Sequence, residues 1–192
     1  LMGLEKADSG IITGFDKVSA VFQENRLIEH LNAVENTALV IKDRNAGKCA
    51  YEQLLQLLPK ETLLKPVREY SGGMKRRVAL VRAMAADSEI VLLDEPFTGQ
   101  DPISMGVIVS LIKRLNEALN LTSIVVSHDV QEVLSIADYA YIIADKHVIA
   151  EGTSEQLLAS QDPQVVQFLK GEADGPVRFH YPAKDYVEEL FK

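Results

Sequence analysis

Two adjacent carboxylates follow a short apolar run in the middle of the chain. The run is Ile90–Leu93, and Asp94 and Glu95 come directly after it. A continuous apolar run of this length is typical of a parallel strand covered on both faces, and ligands bind at the carboxyl ends of such strands. An aspartate there can hold Mg²⁺ through its oxygens, and the adjacent glutamate can take a proton from an attacking water. The alternative is an acidic turn that merely ends the strand.

A serine and two glycines precede the carboxylates at the start of a predicted helix. At a helix N-terminus, a hydroxyl and residues without side chains leave backbone amides open to an anion, which the helix dipole also attracts. Such a triplet alone is weak evidence, because most are plain loops. The basic segment that follows, Lys75–Arg77, is predicted to be a solvated helix face. The four residues of the helix start are Ser71, Gly72, Gly73 and Met74.

A histidine stands at the end of the next apolar run. His128 follows Ser123–Val126, so we expect it at the same sheet edge as the carboxylates, where its imidazole could hydrogen-bond a phosphate and position a water. Between these motifs, Asp101 precedes Pro102, the pattern of a helix N-cap with proline at the first helical position. The other three histidines are predicted to be structural, namely His30, His147 and His180.

The apolar pattern around these residues predicts an α/β fold with a largely parallel sheet. Val18–Phe22 has strand composition and places Gln23 at a strand end. Residues 24–69 are predicted to form a small helical lobe, and from Gly72 onward helices and buried strands alternate. Further predicted elements are helices over about Ala33–Lys42, Ala50–Leu58, Ile103–Ala118, Glu132–Ala137 and Pro163–Lys170, and strands over Tyr139–Ala144 and His147–Ala150. The spacing of a capping box predicts helix starts after Asn32 and Thr153, and Asp162-Pro163 predicts the start of the last helix, which Gly171 ends.

The composition argues against several classes of protein. Twenty Lys and Arg against 28 Asp and Glu give a formal net charge of −8, the opposite of the basic footprint of nucleic-acid binders and unfavourable on anionic lipid. The apolar runs are far shorter than the ~18 residues needed to span a bilayer. Residues 1–10 lack the pattern of a secretory signal. Cys49 is the only cysteine, so a reducing compartment, the cytoplasm, is expected.

In their order and spacing, these motifs resemble those of the nucleotide-binding subunit of ABC transporters. The resemblance implies a P-loop NTPase (RecA-like) ATPase core with a helical subdomain, which binds ATP with Mg²⁺ and hydrolyses it. The residues that carry it are Ser71–Met74, Ile90–Glu95, the turn Thr98–Pro102, and Ser127–Asp129.

The sequence departs from the family pattern in two places. The 192 residues contain no G-x-x-x-x-G-K-[ST] phosphate loop, the element that cradles ATP phosphates, so the phosphate-loop segment is expected to be absent and the chain inactive alone. The family's L-S-G-G-Q reads Tyr70 to Met74 here, and Met74 removes an amide that could hydrogen-bond the nucleotide. Neither Tyr70 nor Met74 removes the phosphate contacts expected of Ser71, Gly72 and Gly73.

The resemblance implies a role for each motif residue. Glu95 and His128 are the implied catalytic residues, and Asp94 is the implied Mg²⁺ ligand. Gln23 is implied to touch the same metal and to link the site to the helical lobe, which docks a membrane permease. The serine–glycine segment meets the γ-phosphate of the opposite subunit, so a homodimer is implied. The implied nucleotide-binding residues are Gln23, Ser71, Gly72, Gly73, Met74 and Asp101.

The two halves of the chain resemble different branches of the family. Residues 1 to about 95, with GLEKADSG and VFQENRL, look like the ATPases of sulfonate- or nitrate-type importers. From Phe97 onward, FTGQDPISMG, VVSHDVQEVLSIAD and ADGPVRFHYPAKDY closely resemble the ATPases of the Mla phospholipid transport system. We give the second half more weight because GQDP and the G-P-x-x-F-x-Y-P tail are specific.

The Mla-type resemblance implies a place and a set of partners. The ATPase is expected to be peripheral at the cytoplasmic face of the inner membrane, beneath a permease, with MCE-domain and STAS-domain proteins as further partners and no nucleic acid. Two alternatives stay open: the ATPase of a small-solute importer, and a non-catalytic interaction fragment, suggested by the missing phosphate loop. The predicted segments are an ATPase-core remnant at 1–23, a helical subdomain at 24–86, the ATPase core with Walker B, D-loop and H-loop at 87–171, and a docking tail at 172–192.

Overall fold

The computed structural model describes residues 6–13, 17–42 and 44–177, with backbone alone for residues 44–46. The chain divides into two compact units, Leu1–Asp129 and Val130–Lys192, and each is described by itself. The four functional segments predicted from the sequence have other boundaries than these two units, and they remain a prediction. Most of the aromatic tail, including Phe179 and Tyr181, lies outside the described residues.

The first unit contains a three-stranded parallel sheet. The strands β1 (Val18–Val21), β2 (Ile90–Asp94) and β3 (Thr122–Val126) lie in the order β1-β2-β3. Strand β2 is central, and its apolar residues are almost all buried, as the continuous apolar run predicts. The parallel α/β prediction is therefore confirmed for this unit.

Helices pack around this sheet and form the lobe between β1 and β2. Two of the helices that matter for the site begin with side-chain caps: Ser71 accepts a hydrogen bond at the start of α4, and Asp101 at the start of α5, as predicted for Asp101. The helices are α1 (Ala33–Ala38), α2 (Arg44–Leu57), α3 (Lys60–Leu63), a 3₁₀ turn (Val67–Glu69), α4 (Gly72–Met84) and α5 (Pro102–Leu119).

Helix α1 has the predicted start but ends before the predicted boundary near Lys42. Asn32 and Glu35 form the expected capping box. After Ala38 the backbone amides of Val40 and Ile41 bond to carbonyls three residues back rather than four, which is a 3₁₀ pattern. Consecutive β-branched side chains disfavour the α-helix, so the helix stops there.

Helix α4 is the centre of the first unit. It is buried on nearly all sides, with Val78, Leu80 and Val81 fully enclosed, and it contacts α1, α2, α5 and β1. Helix α4 therefore joins the helical lobe to the sheet, and the serine–glycine motif lies at its first turn.

The second unit contains the last two strands predicted from the sequence, but they lie outside the parallel sheet. Strands β4 (Ala140–Ala144) and β5 (His147–Gly152) pair antiparallel in a sheet of their own. Asp145 and Lys146 connect them with φ of 49° and 66°, the geometry of a two-residue hairpin turn. Such a tight turn forces antiparallel pairing, since a parallel connection needs a long crossover.

The described part of the second unit also contains the helices α6 (Val130–Ile136), α7 (Ser154–Leu158) and α8 (Pro163–Lys170). The predicted caps at Thr153 and Asp162 are present, and Gly171 ends α8 in the left-handed conformation. The chain then returns to α8, where the buried side chain of Gln167 bonds both the amide and the carbonyl of Val177. Within the described ranges, no helix is long and apolar enough to cross a membrane.

Candidate functional site

The ends of three adjacent strands bring the predicted site residues to one edge of the sheet. Val21 pairs with Leu93, and Asp94 pairs with Val126. Because the strands are parallel, the residues that follow them leave the sheet on the same side. Gln23, Glu95 and His128 each follow one of these pairings, so the predicted sharing of one sheet edge is confirmed.

Glu95 lies at the centre of a hydrogen-bond network. The Nδ1 atom of His128 lies 3.0 Å from both carboxylate oxygens of Glu95. Thr98 Oγ1 donates to the same carboxylate at 2.8 Å, and Ser127 Oγ donates at 3.2 Å. Burial raises the pKa of the Glu95 carboxyl, but these hydrogen bonds and the charge of His128 lower the net pKa below its ordinary value. Glu95 is therefore ionised at neutral pH, as a general base must be.

The backbone of Glu95 is also unusual. Its φ is +47°, in the left-handed region that costs a residue with a side chain roughly 1–2 kcal/mol. Its amide donates to the carbonyl of Val126 at 2.8 Å, which ties the turn to the end of β3. Strained residues of this kind persist where the surroundings over-determine them, and they concentrate at functional sites.

His128 is held on one side and open on the other. The hydrogen bond and the charge of Glu95, with the charge of Asp129, raise the pKa of the imidazole. The side chain is 70% exposed, and its Nε2 has no partner in the part of the chain that the structure describes. The ring is thus oriented by Glu95 while Nε2 faces outward, where it can bond a ligand.

Asp94 is the residue best suited to hold Mg²⁺. It is exposed at the end of β2, and no described side chain or amide hydrogen-bonds its carboxylate. Gln23 is exposed as well. Carboxylate and amide oxygens at a sheet edge, open to water, are a donor set that fits Mg²⁺. Among the described residues, Glu95, His128 and Asp129 also bring their ligand atoms within 4.8 Å of one another, and Asp94 is not part of that group.

The serine–glycine motif forms a separate part of the site. Met74 N donates to Ser71 Oγ at 3.3 Å, and Ser71 and Gly72 are exposed. A Cβ at Gly73 would lie 3.0 Å from Gln100 Oε1, so this glycine lets the helix start approach the turn that precedes α5. No described hydrogen bond joins Ser71 to Glu95 or His128.

Asp101 links that turn to α5. Its carboxylate accepts hydrogen bonds from the amides of Ile103 and Ser104, both at 3.0 Å. The hydrogen bonds from Ser104 are the main reason that the pKa of Asp101 is lowered. Asp101 is therefore an N-cap, and its position on the exposed start of α5 leaves it free to meet another molecule as well.

The prediction that Lys75–Arg77 is a solvated face is wrong for Arg76. Its residue is 3% exposed, and its guanidinium donates to backbone carbonyls of the Glu95 turn. Arg76 lies three and four residues before the buried Ala79 and Leu80, so helical periodicity places it on a buried stripe. This spacing could have predicted the burial of Arg76. Its basic neighbours Lys75 and Arg77 instead favoured the interpretation of an exposed charged face.

The sequence matches a known family over its first half. The family described as "ABC transporter" matches residues 3–98. The Haemophilus influenzae intermembrane phospholipid transport system ATP-binding protein MlaF is 60% identical over 183 residues, which cover 92% of this chain and 69% of that protein. The Escherichia coli K12 protein of the same name is 45% identical over 189 residues, covering 95% of this chain and 70% of that protein.

The chain belongs to the ABC transporter family. The fold of this chain is similar to that of the ATP-binding cassette MJ0796 in two solved dimeric structures. One of them is a post-hydrolysis state bound to ADP and phosphate. Their TM-scores are 0.59 and 0.60, with 28% and 30% identity. Each comparison covers 72% of this chain, which spans 63% of the length of the cassette. The mixed α/β fold of this chain is consistent with the P-loop NTPase fold of ABC cassettes, and the family binds ATP.

Proposed function

We propose that this protein is the ATP-hydrolysing subunit of a phospholipid transporter of the Mla type. The observation that carries the proposal is the pairing of Glu95 with His128 at the carboxyl edge of the parallel sheet. The MlaF relatives, at 60% and 45% identity, support the phospholipid cargo. A membrane partner is required for such a role, because net charge −8 gives the chain no attraction to anionic lipid.

In this function Glu95 is the general base for the water that attacks the γ-phosphate of ATP. Its ionised carboxylate accepts the proton, while Thr98 and Ser127 hold the carboxylate in place. His128 orients Glu95 through Nδ1 and has Nε2 free to bond a phosphate oxygen. Asp94, with Gln23, would hold Mg²⁺, which supplies charge neutralisation for the phosphates.

The complete site needs two copies of the chain. Ser71, Gly72 and Gly73 offer free amides at the N-terminus of α4, a position that favours an anion, yet they make no hydrogen bond to the carboxylates of their own chain. We therefore assign these residues, with Met74, to the nucleotide held by a partner copy. Asp101, at the start of α5, would bridge the two copies. The MJ0796 cassettes, described as dimeric, support this arrangement.

The helical lobe offers a surface for the permease. An apolar pocket of about 380 Å³ lies between α1 and α2, lined by residues such as Val34, Ile41 and Leu54. Leu39, directly after α1, and Tyr51, on α2, are exposed large hydrophobic residues beside this pocket. We propose this surface for the permease, and the segment 172–192 for docking. Further proposed partners are an MCE-domain and a STAS-domain protein, with the ATPase peripheral at the cytoplasmic face of the inner membrane and acting in lipid asymmetry.

The test is ATP turnover with and without the Glu95–His128 pair. We define the extended chain as the 192 residues preceded by a phosphate-loop segment, assembled with its permease in vesicles. Glu95→Gln should keep ATP binding and lower turnover by roughly 10²- to 10⁴-fold, the range for loss of a general base. His128→Ala should slow turnover with little change in melting temperature, because its side chain is mostly exposed.

Three results decide between the proposal and its alternatives. Unchanged turnover in Glu95→Gln would remove the catalytic role. An extended chain that binds its partners but never hydrolyses ATP would favour the interaction fragment. ATP-dependent movement of sulfonate or nitrate, with none of fluorescent phospholipid between vesicles, would favour the small-solute importer.

A further inference from the structure

Arg76 is a buried cation whose neighbours are backbone carbonyls. Arg76 is 3% exposed. Burial lowers the pKa of its guanidinium, and the negative charges of Asp94 and Glu95 oppose that lowering. Among the described residues it forms no ion pair with a carboxylate. A buried charge without an ion pair is costly unless hydrogen bonds satisfy it, so the set of carbonyls around Arg76 is a built feature of this unit.

The carbonyls belong to two different segments of chain. Nε donates to Pro96 O at 3.1 Å, and Nη2 donates to Asp94 O at 3.0 Å and to Glu95 O. Nη1 donates to Phe22 O at 2.5 Å and, more weakly, to Gln23 O at 3.4 Å. One guanidinium therefore joins the turn that carries Glu95 to the strand end that carries Gln23, from the helix that begins at Ser71.

The contact matters because the Glu95 turn is strained. At φ of +47° Glu95 needs support from its surroundings. The Glu95 amide is fixed by Val126 O on the side of β3, and the carbonyls of Asp94, Glu95 and Pro96 are fixed by Arg76 on the side of α4. Without Arg76 the turn would be held from one side, and the carboxylate would lose its fixed direction toward His128.

We propose that Arg76 is a positioning residue that sets the geometry of Glu95 and couples it to the strand end that carries Gln23 and to helix α4. This inference rests on the proposed ATPase function. Arg76 acts through backbone atoms and does not itself touch the reacting groups. A guanidinium suits the task because its planar fork presents five donors in fixed directions, which can reach two segments at once.

The same helix supplies a matched control in Arg82. Arg82 is also partly buried, and burial lowers its pKa too. It donates to Arg26 O at 2.9 Å and to Asn25 O at 3.2 Å. Arg82 thus ties α4 to the segment after β1 as Arg76 does, but it has no hydrogen bond to the Glu95 turn. Comparing the two arginines separates positioning of Glu95 from general anchoring of α4.

The first experiment compares Arg76→Lys with Arg82→Lys in the 192-residue chain without nucleotide. Lysine keeps the charge but places its donors on one nitrogen, so it cannot span both segments. We expect the NMR signals of the His128 ring to move in Arg76→Lys, because the Glu95 carboxylate shifts, and to stay in place in Arg82→Lys. Unmoved signals in both variants contradict the proposal. So does an unfolded Arg76→Lys beside a folded Arg82→Lys, since that marks a structural role.

The second experiment measures turnover of the same variants in the extended chain. Arg76→Lys should lower kcat by roughly 10- to 100-fold, the scale of a displacement of about 1 Å, with KM for ATP within about twofold. Arg82→Lys should leave both parameters within about twofold. Equal kcat losses in the two variants, or a loss confined to KM, would overturn the assignment.

A double variant tests whether Arg76 acts through Glu95. In the Glu95→Gln background, single-turnover rates should fall little further on adding Arg76→Lys, because effects of groups that act as a unit are not additive. If the double variant loses rate by the product of the two single-variant factors, the two residues act independently and the inference is wrong. If the unsubstituted extended chain shows no hydrolysis, the proposed function fails instead, while the NMR comparison still decides the positioning of Glu95.

Discussion

At the residue scale, Glu95 and His128 set each other's charge. Hydrogen bonds outweigh burial at Glu95, so its pKa is lowered, and Glu95 in turn raises the pKa of His128. A lowered carboxyl pKa stabilises the folded state above the ordinary pKa and loses that effect as pH falls. A raised imidazole pKa stabilises below the ordinary pKa and loses that effect as pH rises through the folded value. The pair therefore stabilises the folded state most strongly between the ordinary pKa of a glutamate and the ordinary pKa of a histidine.

The pairing predicts a titration that NMR can follow in the chain without nucleotide. The His128 ring should titrate above the ordinary value of 6.5. In Glu95→Gln the midpoint should fall toward that value, because Glu95 supplies the main causes of the shift. Asp129→Asn should lower it less, since Asp129 contributes its charge alone. A midpoint that Glu95→Gln leaves unchanged would show that the pair does not form in solution.

At the element scale, two helices begin with the same Asp-Pro pair. Asp101 and Asp162 each accept hydrogen bonds from two backbone amides at the start of α5 and α8. Asp101→Ala and Asp162→Ala should lower the free energy of unfolding by similar amounts, because each removes one N-cap. In the extended chain, Asp101→Ala alone should also weaken dimerisation and turnover. Denaturant unfolding, sedimentation and ATPase assays measure the three effects; equal turnover in both variants would leave Asp101 as a cap and nothing more.

The hairpin of the second unit gives a stability prediction. Lys146 has φ of 66°, so Lys146→Gly should raise the free energy of unfolding by roughly 0.5–1 kcal/mol, after the entropic cost of glycine is included. Ala150→Gly, in the adjoining strand, should lower it by a similar amount. Thermal unfolding of the chain compares the two. A loss of stability in Lys146→Gly would argue against the two-residue turn.

Local signals in the sequence were enough to place most elements. Caps at Asn32, Asp101 and Thr153 predicted helix starts because their chemistry involves neighbours three residues away. The apolar run Ile90–Leu93 predicted the central strand for the same local reason. The antiparallel hairpin was missed, because Asp145-Lys146 carries no glycine to mark its left-handed turn.

The motif residues of the candidate site could be predicted from the sequence, but the hydrogen bonds that hold them in place could not. Glu95 and His128 follow apolar runs, so their shared sheet edge could be inferred from the sequence. The hydrogen bonds of Arg76 join segments 18 to 54 residues away along the chain, and no local pattern encodes such partners. The positive φ of Glu95 is likewise a product of tertiary contacts on both sides of the turn.

At the scale of the whole molecule, ATP affinity tests how binding is divided between the 192 residues and a phosphate-loop segment. In the proposed function the described residues would supply a base, a Mg²⁺ ligand and a helix start for a partner's phosphate, and the 192 residues contain no phosphate loop. That loop's amides and lysine hold the β- and γ-phosphates in P-loop proteins. The chain alone should therefore bind MgATP with Kd above about 1 mM, a binding free energy weaker than about −4 kcal/mol.

Calorimetry on the extended chain completes the comparison. Adding the loop should bring Kd to roughly micromolar, about −8 kcal/mol, because its amides surround the phosphates that Asp94 and Glu95 face from one side only. The matched control is the extended chain with the loop lysine replaced by alanine, which should return toward the affinity of the 192 residues. Micromolar affinity in the 192-residue chain itself would mean that the described residues hold ATP by other contacts, and the division of the site proposed here would be wrong.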